Sequence, residues 1–201
     1  MLHFDVVPES VRVLFLGLAS RPVLEDFALG GDTSLALRFG HRLSVDLDFF
    51  TIREFSPDDV LAGLELVNAT VVGRALNSLT VDADGVKLDL LRHAYQLLEP
   101  VERIDGMPLV SLPDLAAMKL NAIANRGSKK DFYDLVALLD HFSIQEMIGF
   151  FTAKYPATDS FTVIRSLAWF GDAESEPDPV SLTGVTWSQV KSKPSHVVAG
   201  L

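Results

Sequence analysis

Gly30-Gly31-Asp32-Thr33-Ser34-Leu35-Ala36-Leu37-Arg38-Phe39-Gly40 is followed closely by Val45-Asp46-Leu47-Asp48-Phe49. The apolar Phe27-Ala28-Leu29 before it reads as a strand and Gly30-Gly31 as a tight turn. A short helix follows, capped by Asp32, Thr33 or Ser34 and closed by Gly40. Such a turn presents backbone N–H groups at a helix N-terminus, where the dipole favours anions; an ordinary strand-to-helix connection has the same outline. Val45 to Phe49 reads as a second strand. Residues two apart on a strand share a face, so Asp46 and Asp48 project together while Val45, Leu47 and Phe49 turn to the core.

A third carboxylate, Asp89, sits in Val86-Lys87-Leu88-Asp89-Leu90-Leu91, another apolar strand pattern. If that strand pairs beside the first, Asp46, Asp48 and Asp89 form one acidic cluster. Like charges on apolar strands repel, and burial aggravates the cost. A divalent cation relieves both, and oxygen-only ligation favours a hard ion, Mg²⁺ or Mn²⁺, completed by water and substrate phosphates. A lone Asp-x-Asp is also what a solvated edge strand carries. The neighbouring turn shifts the balance, because a metal-bound triphosphate needs a phosphate cradle and paired carboxylates within reach of one nucleotide.

The rest of the chain is compatible with that chemistry. Its 201 residues suffice for one domain or two packed lobes with ample apolar core. There is no cysteine, which removes disulfides, thiol nucleophiles and cysteine zinc sites. His3, His41, His93, His141 and His196 lack metal-ligand spacing. A net charge of −10 disfavours indiscriminate binding to nucleic acid or anionic membranes, so an RNA substrate needs a local basic surface. No stretch is long and apolar enough to span a bilayer. The apolar Val13-Leu14-Phe15-Leu16-Gly17-Leu18-Ala19 follows Asp5 and Glu9 rather than basic residues, so a cytoplasmic location is expected.

The first half alternates strand and helix. A helix is expected from about Glu9 to Ala19, and another after the cap Ser56 with Pro57 at its first position. Strands are expected near Val71–Ala75, Leu79–Asp82 and Val86–Arg92, the last two joined by the hairpin signal Asp82-Ala83-Asp84-Gly85. From Ser111 the period changes from two to about 3.6. The expected division is therefore a core over 1–108 and a helical lobe over 109–201, in one continuous domain or two. Glu174-Ser175-Glu176-Pro177-Asp178-Pro179 reads as a surface loop, and Trp187 and Val190 as anchors of a terminal segment.

The helical half holds a second cluster. Ser111-Leu112-Pro113-Asp114 reads as a capping box opening a helix to about Asn125, and Ser128 opens another after Gly127. Lys119, Arg126, Lys129 and Lys130 form the densest basic stretch of an acidic chain, and Asp131 and Asp134 share a helical face. Solvated charge with local pairing, such as Lys130 with Asp134, accounts for this spacing as well as a binding role does. Lys119, surrounded by apolar and small neighbours, suits a lysine aimed into a cleft at phosphates.

Residues 30–50, Val86-Lys87-Leu88-Asp89 and Met118-Lys119-Leu120-Asn121-Ala122-Ile123-Ala124-Asn125-Arg126-Gly127-Ser128-Lys129-Lys130-Asp131-Phe132-Tyr133-Asp134-Leu135 resemble, in this order, the AbiEii/AbiGii family of nucleotidyltransferase-like toxins. The resemblance runs from about Val23 to Leu139. It implies an α+β architecture of the DNA polymerase β-type nucleotidyltransferase fold, a mixed β-sheet flanked by helices and followed by a C-terminal helical bundle. It implies that Asp46, Asp48 and Asp89 hold Mg²⁺ or Mn²⁺. Gly30, Gly31, Thr33 and Ser34 would belong to the phosphate turn and Lys119 would contact the triphosphate of an NTP. Arg126, Asp131 and Asp134 would belong to the C-terminal nucleotide-site motifs. The implied activity is transfer of an NMP to an acceptor hydroxyl, on RNA such as tRNA, by the toxin of a toxin–antitoxin or phage-defence system with a cognate antitoxin. One position departs from the pattern: Asp32 stands where the family's turn places a second glycine. That charge near incoming phosphates supports a competing reading, a catalytically silent nucleotide-binding module that acts through a protein partner. A third reading is a structural acidic domain.

Overall fold

A computed structural model of the chain describes residues 1–198, with side chains through residue 196. The elements in order are α1 (Glu9–Leu18), β1 (Ala28–Leu29), α2 (Gly31–Phe39), β2 (Leu47–Thr51), α3 (Pro57–Leu64), β3 (Ala69–Ala75), β4 (Ser78–Ala83), β5 (Val86–Arg92), β6 (Glu102–Ile104), β7 (Met107–Leu109), α4 (Leu112–Asn125), α5 (Lys129–Leu138), α6 (Ile144–Lys154), α7 (Ser160–Ser166) and α8 (Trp187–Val198). The fold class is α+β. The strands make a seven-stranded sheet in the order β3-β4-β5-β2-β1-β7-β6. It is mixed: β2 runs parallel to β5 and antiparallel to β1, and β1 runs parallel to β7.

Local chemistry accounts for most boundaries. Asp84 and Gly85 both have positive φ, 52° and 82°, and join β4 to β5 through a two-residue turn that pairs Ala83 with Val86. Asp105-Gly106, at 52° and 81°, does the same for β6 and β7. This second hairpin lies where the sequence suggested only a lobe boundary, although its Asp-Gly signal was the same. Ser56 caps α3 through the Asp59 N–H, with Pro57 in the first turn, as expected.

Two boundaries differ from the expectation in ways that matter for the site. Helix α2 begins at Gly31, so Asp32, Thr33 and Ser34 form its first turn instead of capping it. Strand β2 begins at Leu47, so Asp46 lies in the connection before it. Val45 is 55% exposed instead of facing the core.

The chain divides into two compact units. The first comprises residues 1–38, 44–96 and 100–110; the second comprises 39–43, 97–99 and 111–201. The first is the sheet with α1 to α3, built on Val11, Phe15, Leu18, Leu29, Leu47, Phe49, Leu64, Leu79, Leu88 and Leu90. Burial along β2 alternates, with Leu47, Phe49 and Thr51 inward, and this puts Asp48 on the opposite, half-buried face. The second unit is helical: α4 packs on α5, α6 and α7, and α5 packs on α8. Trp187 lies against Phe132, Phe170 and Tyr133, and Val190 is wholly buried, so both serve as the expected anchors. Among the described residues no helix is long and apolar enough to cross a membrane.

Candidate functional site

The turn after β1 and the carboxylate strand are built against each other. Gly30 donates its N–H to the Asp48 carbonyl at 2.8 Å. Gly31 has φ +60°, and a Cβ there would lie 2.6 Å from Asp48 Oδ2, so conformation and space both require glycine. Thr33 donates its hydroxyl to the Asp46 carbonyl and shares a 2.7 Å hydrogen bond with Ser44. It therefore ties the start of α2 to the Asp46 connection. Ser34 is wholly buried, and its hydroxyl has no partner among the described residues.

Strand pairing brings the distant carboxylate in. Asp48 on β2 is the direct register neighbour of Asp89 on the parallel β5, so both side chains leave the same face of the sheet. Asp89 is paired on its other side with Thr80 of β4. The Thr80 hydroxyl donates to Asp89 Oδ1 at 2.6 Å, and Lys87 Nζ donates to Asp89 Oδ2 at 2.6 Å. That hydrogen bond raises the Lys87 pKa above its ordinary value against the opposing effect of partial burial. Asp48 has no comparable hydrogen-bond donor among the described residues. Burial, then the charges of Asp32, Asp89 and Asp46, push its pKa up to about 6, with Lys87 the opposing influence. Four carboxylates thus share one field, and a bound cation would lower its energy.

The aspartates of the second unit are placed differently. Asp134 is wholly buried; it accepts 2.7 and 2.8 Å hydrogen bonds from Arg42 Nε and Nη2 and lies 2.7 Å from His41 Nε2 and 2.8 Å from Lys119 Nζ. Burial opposes its charge, but Lys119 and Arg42, with the His41 hydrogen bond, hold its pKa well below the usual carboxylate range. Asp131, also wholly buried, accepts from Lys119 at 2.8 Å and from the two arms of Arg126 at 2.9 Å. Lys119 is 4% exposed.

The basic stretch is thus largely engaged in pairing. Lys119 and Arg126 meet Asp131, and Lys129 donates to Asp178 Oδ1 at 2.8 Å and to the Glu176 carbonyl at 2.6 Å. Glu176 also accepts from Ser128 and from the Lys129 N–H, so it, rather than Ser128, caps α5; the expected surface loop is a structural clamp. The capping box at Ser111 is modified likewise. Ser111 caps the Asp114 N–H, but the Asp114 carboxylate accepts from the Leu98 and Glu99 N–H groups and from buried Lys154 at 2.5 Å. Burial works against the Asp114 charge, yet these donors together hold its pKa below the ordinary value.

Sheet, turn and carboxylate strand define the class, a nucleotidyltransferase fold. The family profile described as "Nucleotidyl transferase AbiEii toxin, Type IV TA system" matches residues 12–179, and the chain belongs to that family. The uncharacterized protein aq_aa25 of Aquifex aeolicus (strain VF5) is 35% identical over 172 residues, covering 82% of this chain and 81% of that protein. Among solved structures, MenT4, a nucleotidyltransferase toxin of Mycobacterium tuberculosis H37Rv, superposes with TM-score 0.61 at 18% identity, covering 96% of this chain and 83% of that one. JHP933 of Helicobacter pylori superposes with TM-score 0.59 at 14% identity, covering 99% and 92%. Both structural likenesses are likenesses of fold.

Sequence reasoning passed over Thr80, Lys87, His41 and Arg42. Two of these were within reach. Lys87 lies two residues before Asp89 and so on its face, and the two-residue Asp84-Gly85 turn sets Thr80 opposite Asp89. Arg42 and His41 carry no local signal for Asp134, which is more than ninety residues away.

Proposed function

We propose that this chain is a divalent-metal-dependent nucleotidyltransferase that moves an NMP from an NTP to an acceptor hydroxyl on RNA such as tRNA, acting as the toxin of a toxin–antitoxin pair. The observation that carries the reading is the placement of Asp48 beside Asp89 on parallel strands, against the Gly30-Gly31 turn, with the Asp48 pKa driven up to about 6 by burial and neighbouring carboxylates. An all-oxygen, mutually repelling donor set fits a hard cation, and Asp46, Asp48 and Asp89 would hold Mg²⁺ or Mn²⁺. When bound, that ion supplies charge neutralisation of the triphosphate and of the attacking oxygen.

The chain's own groups do the rest. Helix α2 opens at Gly31 with its N-terminus, a dipole end that suits a phosphate oxygen, and the Ser34 N–H closes the first turn on the Gly30 carbonyl at 3.3 Å. Lys119 and Arg126 are the proposed triphosphate contacts, and their pairing with Asp131 and Asp134 holds them in place. Asp89 accepts the proton of the attacking hydroxyl. The hydroxyl oxygen bonds to the α-phosphorus, the α–β bridging bond breaks, and pyrophosphate leaves. We read the transferase core as 1–108 and the helical lobe as 109–201, with the protein acting in the cytoplasm beside a cognate antitoxin.

The second reading, a silent nucleotide-binding module working through a protein partner, is favoured by one observation: the Asp32 charge raises the pKa of Asp48 in the same cluster. Incubation with each α-labelled NTP, Mg²⁺ and total RNA, beside protein-only and no-acceptor controls, separates the two. Label in RNA supports the transferase, and label in protein redirects the acceptor. NTP binding without transfer to any acceptor supports the silent module.

A further inference from the structure

Eight of the ten arginines are paired with a carboxylate: Arg12, Arg21, Arg38, Arg42, Arg53, Arg74, Arg92 and Arg126. Arg103 donates to the Gly106 carbonyl. Arg165, exposed in the last turn of α7, has no such carboxylate among the described residues. Trp169, four residues on and past the end of α7, is 64% exposed, and Phe161, one turn before Arg165, is 61% exposed. Arg165 and Trp169 line a surface cavity of about 630 Å³ with Thr162, Ile164, Ser166 and Ala168.

The tryptophan is not a loose surface residue. Its Nε1 donates to Asp172 Oδ2 at 3.1 Å. Gly171 lies so close that a Cβ there would fall 2.9 Å from the ring, so the chain passes directly against the indole. One edge of the indole is thereby held while much of it stays in water. A large aromatic kept exposed costs hydration free energy that burial would recover. Paired with an uncompensated guanidinium on a chain of net charge −10, it has the makings of a site for an anion that carries a flat apolar group.

We infer that Trp169 and Arg165 form a platform for the RNA acceptor, with an unpaired base stacking on the indole and an adjacent phosphate meeting the guanidinium. This rests on the RNA-acceptor reading above. Charge complementarity selects the occupant: an apolar protein segment would leave Arg165 desolvated and unmet, whereas a nucleotide strand satisfies both groups.

The test is fluorescence anisotropy with the full chain and a short, unstructured, fluorescein-labelled oligoribonucleotide, with the matching duplex as control. Trp169→Ala is expected to weaken single-strand binding about tenfold or more, Trp169→Phe to retain most of it, and both to leave the duplex little changed. Arg165→Gln is expected to weaken binding and to lower the salt-dependence slope by about 0.7. Unchanged single-strand affinity in Trp169→Ala and Arg165→Gln overturns the platform, as does a duplex loss equal to the single-strand loss. A Trp169→Ala variant that loses self-association in sedimentation while binding RNA normally also overturns it. Because binding is read without NTP, failure of nucleotidyl transfer leaves this result standing, and transfer to RNA with unaltered Trp169→Ala binding defeats the platform alone.

Discussion

Asp48 and Asp134 are both aspartates withdrawn from water, yet their surroundings drive them in opposite directions. Around Asp134 the chain places Arg42, Lys119 and His41 within hydrogen-bonding distance, and the carboxyl is held well below its usual range. Around Asp48 it places Asp32, Asp46 and Asp89 with Lys87 as the counterweight, and the pKa rises to about 6. A buried charge met by donors serves as scaffold, because removing either partner strands the other. A charge left unmet among its own kind is a cost that folding does not repay, and such sites are candidates for chemistry.

The largest effect is expected from neutralising the unmet set. Asp46→Asn combined with Asp48→Asn should abolish NMP transfer while the protein without metal or nucleotide melts at the parent temperature or above, since repulsion is removed. Full transfer activity in the double variant, measured with α-labelled NTP, would break the comparison. Next comes the met set: Asp134→Ala should cost about 3–5 kcal/mol in urea unfolding, because Arg42 and Lys119 lose their buried partner. A loss under about 1 kcal/mol would show that Asp134 is not scaffold.

The same contrast predicts opposite pH dependence. The Asp134 pKa is lowered by folding, so its contribution is present above the unfolded value near 3.8 and is lost as pH falls through the lower folded value. The Asp48 pKa is raised, so its contribution is present below about 3.8 and is lost as pH rises through about 6. Asp48→Asn should therefore remove a decline in stability of the metal-free protein between those values, on the order of 1–3 kcal/mol, read as melting temperature against pH. A decline of the same size in the variant assigns it to another group.

The smallest effect is expected at Asp32. As a first-turn residue of α2 it complements the helix dipole, so Asp32→Asn should cost about 0.3–1 kcal/mol in melting experiments. By removing a like charge from the carboxylate field it should also tighten NTP binding a few-fold in titration. A much larger gain in affinity would sharpen the case for a silenced enzyme.

Local pattern made much of the first unit readable. Period-two alternation located β4, β5 and most of β2, and Asp-Gly turns carry their own backbone requirement. The Ser56-Pro57 start identified α3 and the Ser111-Leu112-Pro113-Asp114 box α4, because both are settled within four residues. The sequence also set the Gly30-Gly31 turn close to the Asp46-Leu47-Asp48 stretch, and the Gly30 N–H does meet the Asp48 carbonyl. What these signals did not carry was the end of each element. The helix began at Gly31 because the turn's tight approach to Asp48 fits only glycine there, and Asp46 fell outside β2.

The Asp-Gly turns and the Ser56 and Ser111 caps were legible along the chain, since each depends on neighbours within a turn or a strand pair. Tertiary structure decided which charges are compensated. Lys119 reads in sequence as a lysine free for phosphates, but α5 brings two carboxylates to its amine. Glu176 reads as loop but caps α5, and Asp134, against the opposing effect of burial, owes its low pKa first to Lys119 and then to Arg42 and His41, which lie more than ninety positions earlier. Electrostatic energy falls off with distance through space, and only packing converts separation along the chain into separation in space.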